Sequence, residues 1–177
     1  MNRDRAWIQL SRRRLDLLDS DHWAGTDQDL AISLSRTYRW AGYSAWGLPL
    51  AVAQHSLTVL TLCRAAPRPD LSDTDARREL LRDAVEPPMG RDPITPLKPH
   101  LGHAFARLMA RLQFAVDARY ALPAWTAESL ARHKHAGRMA AASEAHHVAG
   151  WSRSALRTAL GITQPPIATD PLPPPAG

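Results

Sequence analysis

The chain has 177 residues, 45% hydrophobic and 22% charged, and a formal net charge of +5. That length and balance suit one globular domain and exclude a wholly disordered or collagen-like chain. No stretch approaches the roughly 20 consecutive apolar residues that cross a bilayer, and residues 1–20 lack the apolar run of a secretory signal. Of the 22 basic residues, 20 are arginine, spread along the chain rather than gathered in a stripe, which argues against nucleic acid as the partner. Trp7-Ile8-Gln9-Leu10 and Leu15-Asp16-Leu17-Leu18 alternate weakly and predict a small hairpin. Thr26 or Asp27 caps a first helix with Leu30, Leu34 and Tyr38 at helical spacing. After Gly42 and Gly47, Pro49 opens a second helix, nearly all apolar through Leu62, with His55 as its one titratable group. The lone Cys63 continues that run, predicting a reduced, buried thiol and a cytoplasmic protein.

Ser72 or Asp73 caps a third helix whose apolar edge is Leu80, Leu81 and Ala84, ended by Pro87 and Pro88. A loop rich in proline and charge covers 89–99. A fourth helix runs from about 101 to 121 with Leu101, Phe105, Leu108, Leu112, Ala115 and Val116 on one side, until Pro123 breaks it. Thr126 and Glu128 start an alanine-rich fifth helix reaching about Val148, and a short sixth spans 152–160. The predicted fold class is all-α, a bundle of five or six helices with the small N-terminal hairpin. Residues 1–163 read as one domain and 164–177 as a proline-rich mobile tail. There is no internal repeat, P-loop or dinucleotide fingerprint. His55 is polar on an apolar helix, and Asp83 and Glu86 are placed at the end of another. A histidine and a carboxylate meeting between helices can hold a transition metal. The plainer outcome is a hydrogen-bonded core histidine and a helix-terminal acidic pair.

Five segments carry a resemblance. Arg39-Trp40, Val52-Ala53-Gln54-His55-Ser56, Leu80-Leu81-Arg82-Asp83-Ala84-Val85-Glu86, Gly90-Arg91-Asp92 and Pro96-Leu97-Lys98 together resemble the HD-domain phosphohydrolases, in the branch of 5'-deoxynucleotidase-like proteins. The similarity runs from about Trp7 to Gly150. It implies an HD-type helical bundle, a homodimer, and a divalent metal such as manganese or cobalt. In such proteins the metal is held by a histidine, the histidine and aspartate of an HD pair, and a late aspartate. His55 matches the first ligand and Asp83 the aspartate of the pair. Glu86 matches the general acid toward the leaving group, so Glu86 and Asp83 are the implied catalytic residues. Arg39, for phosphate, and Trp40, for the nucleoside, match the substrate-facing pair. Asp92 matches a substrate-side aspartate with Arg91 as a one-residue insertion.

Two positions depart from that pattern. Arg82 stands where the pair has histidine, and a guanidinium has donors but no lone pair for a metal. Ser143-Glu144 fits a threonine-glutamate pair, and counting back seven residues puts Gly137 at the late aspartate. His133, one turn before Gly137, is the candidate substitute. Arg82 beside Asp83 and His55 would instead supply fixed positive charge and bind a phosphate bidentately, without generating hydroxide from water. The sequence thus predicts a protein that binds a nucleotide or other phosphate-bearing small molecule, without cofactor and without metal-dependent hydrolysis. The alternative is an active metal-dependent nucleotide phosphohydrolase rebuilt around His55, Asp83 and a nearby histidine.

Overall fold

A computed structural model describes residues 5–19, 23–66, 71–90 and 92–167. Strands β1 (Trp7–Gln9) and β2 (Arg14–Asp16) pair antiparallel, Ile8 opposite Leu15. The turn closes with the Leu10 N–H donating to the Arg13 carbonyl at 2.8 Å. Leu15 and Leu17 point into the core, and the buried Asp16 carboxylate accepts from the backbone N–H groups of Ala6 and Leu18. The hairpin is fastened to α1 (Asp27–Arg36) by Asp29, which accepts from the Ser11 N–H at 2.9 Å. Thr26 and Asp29 also form a reciprocal capping box, the arrangement that satisfies two otherwise orphaned N–H groups at a helix start.

Helix α1 ends earlier than its spacing predicts. The backbone N–H and Oγ1 of Thr37 both donate to the Ser33 carbonyl, closing the last turn, and the chain leaves in an extended conformation. Tyr38 then pairs with Ala51 as an isolated bridge and stays exposed rather than joining the apolar face. Its neighbours Arg39 and Trp40 are thereby turned inward. Helix α2 (Val52–Arg64) starts three residues after Pro49. Its first residues cannot be capped by Ala51, and Gln54 Oε1 instead accepts from the Ala51 N–H at 2.9 Å. Packed against α1, α3 and α5, α2 is the central helix that its composition predicts.

Helix α3 (Asp73–Leu80) is capped by Ser72, whose Oγ accepts from the Asp75 N–H. It stops at Leu80, not at the prolines. Residues 81–86 form tight turns with three-residue spacing, Ala84 N–H to Leu81 and Glu86 N–H to Asp83. Pro87 and Pro88 have no N–H to give the carbonyls four residues back, so this stretch cannot propagate as α-helix. Asp83 and Glu86 therefore sit in turns, correcting their placement at a helix end. The loop after them holds a 3₁₀ turn (Thr95–Leu101) that leads directly into α4 (Gly102–Arg119). Leu112, Ala115 and Val116 bury one stripe of α4, while Leu101 is exposed.

Helix α5 (Ala127–His147) is lined by Ala136, Ala140, Ala142 and Ala145, all buried. Their small side chains let it lie close along α2, where Val59, Cys63, Ala136 and Ala140 form one core cluster. The main core lies on the other side of α2 and joins the hairpin, α1, the 81–86 turns and α4. Burial, with Glu79 nearby, pushes the Cys63 thiol up to about 12, so it stays protonated and unreactive. Helix α6 (Arg153–Leu160) ends at Gly161, which takes the left-handed conformation that favours glycine. Residues 164–167, predicted as the start of a free tail, are fastened to α5. Pro166 is buried, Ile167 N–H donates to Ser143 Oγ, and His147 Nε2 donates to the Ile167 carbonyl. The tail predicted beyond them lies outside the described residues. Among the described residues the result is an all-α bundle of six helices with one two-stranded hairpin. Among the described residues, no helix is long and apolar enough to cross a membrane.

Candidate functional site

The extended segment after α1 delivers Arg39 to α5. Its Nε donates to Glu144 Oε2 at 2.6 Å, and its NH1 donates to Asp92 Oδ2 at 2.6 Å. The second oxygen of Glu144 takes the Nδ1–H of His55 on α2, also at 2.6 Å. One buried carboxylate thus fastens an arginine and a histidine from two different elements. Burial opposes charge on Glu144, but Arg39 and His55 outweigh it and hold the carboxyl down at about 2. An ionised carboxylate only accepts, which fixes the proton on His55 Nδ1 and turns Nε2 toward Asp83, 3.5 Å away. Asp83 is half-buried; desolvation opposes its charge, yet His55, Arg39 and Arg82 hold it below the usual carboxylate range.

Glu86 behaves oppositely. Burial pushes it up to about 8, and Asp83 and Asp92 add to the effect. Its Oε1 accepts from Lys98 Nζ at 2.9 Å, while Oε2 is buried with no partner. Two carboxyl groups three residues apart are therefore shifted in opposite directions.

These groups line a cleft of about 480 Å³, within the range of small-molecule sites. Arg39, Trp40, His55, Arg82, Asp83, Glu86 and Asp92 all face it, so every implied catalytic and substrate residue is brought together. Gly137 and His133 face it as well, from α5. Pro93, Ile94, Leu130, Leu160 and Ile162 give it apolar walls. Trp40 and Ala41 both hold φ of 55° at its edge, an uncommon conformation for residues other than glycine. Arg39 is spent on two carboxylates, so its implied phosphate role falls to other cations. Sequence reasoning did not single out Glu144, Lys98, Lys134 or Arg138 as site residues. The signal was there for three of them: positions 134, 137, 138, 141 and 144 share one face of a helix.

The donor set does not fit the implied divalent metal. His55 Nε2 and Asp83 are the two donors in place, Arg82 offers no lone pair and Gly137 no side chain. His133, like His55, has its Nδ1 on a buried carboxylate, Glu79 at 2.6 Å, which leaves Nε2 as its ligand atom, but it does not gather with His55 and Asp83 into a ligand cluster. Among the described residues, no group of three or more histidine, cysteine or acidic side chains is arranged to hold a metal ion.

No family model matches the chain. It is 36% identical, over 163 residues, to an uncharacterized protein of Rhodobacter capsulatus, a span covering 91% of this chain and 82% of that one. The chain belongs to that protein's family. The matched span takes in nearly the whole chain.

Proposed function

We propose that the cleft binds a phosphate-bearing small molecule of nucleotide size, and that the chain is a diverged HD-domain protein without that family's metal-dependent hydrolysis. The observation that carries this reading is the pairing of charge around the cleft. Arg39 is matched by Asp92 and Glu144, and His55 by Glu144 and Asp83, while Lys98 is hydrogen-bonded to Glu86, whose carboxyl is raised by burial. Arg82, Lys134 and Arg138 face the same space without an ion pair to any described carboxylate. Such a cleft favours an anion. The convergence of seven residues from the resembling segments on one cleft supports the family reading. The apolar walls and Trp40 suit a nucleoside beside the phosphate. Arg82 can hold a phosphate bidentately.

The test combines two measurements on untagged protein. After incubation with manganese or cobalt and desalting, elemental analysis is expected to find metal near zero. Thermal shift with nucleotides is expected to raise the melting temperature, and Arg82→Ala to abolish the rise. One metal per chain, lost in both His55→Ala and Asp83→Ala, would replace this reading with the rebuilt phosphohydrolase. No stabilisation by any nucleotide would remove it.

A further inference from the structure

Gly137 stands in the middle of α5, where glycine costs a helix roughly 1 kcal/mol relative to alanine. Nothing in the fold requires it. A Cβ at this position would meet no atom within 4 Å, so no neighbouring helix or loop is packed into the gap. What lies in front of Gly137 is the cleft. A bare helix surface that the protein's own packing does not use is what a ligand pressed against the backbone needs.

On α5 itself, the charges beside that surface are both positive. Lys134 and Arg138 flank Gly137 on the same face of α5, about 6 Å apart along the axis at 1.5 Å per residue. Both are exposed and both line the cleft. Arg82 reaches the same space from the 81–86 turns. The acidic groups of the cleft are bonded within the network, Asp92 and Glu144 to Arg39, Asp83 and Glu144 to His55, and Glu86 to Lys98. Arg82 acts at a distance on its neighbour Asp83, but none of the three cations makes an ion pair with a described carboxylate, and all three line the space before a bare stretch of helix. A phosphate monoester brings at most about two negative charges, whereas a diphosphate brings one more and is long enough to touch cations one helical turn apart.

We infer that Arg82, Lys134 and Arg138 form a diphosphate subsite, holding the terminal phosphates of a nucleoside diphosphate or triphosphate against the backbone at Gly137. This deepens the phosphate-binding reading of the cleft and rests on it. Calorimetric titrations of the whole chain at fixed ionic strength, with orthophosphate, inorganic diphosphate, a nucleoside monophosphate and the matching diphosphate, test it. Both diphosphates bind at least tenfold more tightly than their single-phosphate counterparts. Lys134→Ala with Arg138→Ala, both exposed and tolerable to the fold, erases that preference. Gly137→Ala raises the melting temperature while weakening diphosphate binding, a combination that a merely structural glycine would not give. Equal affinity for one and two phosphates, or a double variant that keeps the preference, overturns the diphosphate subsite and leaves the phosphate-binding cleft standing. Failure of all four compounds to bind overturns both.

Discussion

Glu144 gives one oxygen to Arg39 and the other to His55, and all three side chains are largely withdrawn from water. Removing one member of such a network leaves charge buried without a partner, at a cost of about 3–5 kcal/mol. Glu144→Ala is expected to destabilise the protein by that order in chemical denaturation. A loss below about 1 kcal/mol would show that Arg39 and His55 find other partners. Glu86 has the opposite character, and its sign can be worked out. Its folded carboxyl is pushed up to about 8 from an ordinary 4.5. Between those values the folded chain holds a proton that the unfolded chain releases, so stability falls as pH rises across that window. Glu86→Gln, which mimics the protonated form, should flatten the fall in melting temperature between pH 5 and 8. An unchanged slope in the variant would place the titration on another group. The value of 8 was not legible in the sequence, because it comes from burial and from Asp83 and Asp92, which approach Glu86 only in the folded chain.

Among the elements, the starts of the helices were the most legible features. Thr26, Ser72, Thr126 and Ser152 each accept from a backbone N–H inside the helix they precede, and residue type alone announces such caps. Thr26→Ala breaks the capping box and also loosens Asp29, which holds the hairpin through Ser11. A loss of about 1 kcal/mol is expected, read from equilibrium unfolding; no change would mean Asp29 alone secures the helix start. Helix ends were less legible. The apolar spacing of Tyr38 continues α1 on paper, but its backbone is needed for the bridge to Ala51. Leu81 and Ala84 fit α3 by spacing, yet they are drawn into tight turns ahead of two prolines and pack in the main core beside Val52 and Val116. In both places tertiary contacts overrode a pattern that local periodicity alone would extend.

At the scale of the whole molecule, α2 and α5 organise both the core and the cleft. Their alanine-lined contact brings His55 within reach of Glu144, 89 positions later in the chain, and Arg39 reaches the same carboxylate across 105. The same packing leaves Lys134, Gly137 and Arg138 on the open side of α5, facing the turns that carry Arg82. The sequence by itself determined the all-α class, the hairpin and the capped helix starts. Those follow from caps, prolines and apolar spacing, which act within a few residues along the chain. Only the tertiary structure decided that Arg39 is spent on carboxylates, that the Glu86 carboxyl is raised, that His133 is held by Glu79, and that residues 164–167 are docked. Each of these depends on partners far away in sequence and on burial from water. Neither exists until the helices pack.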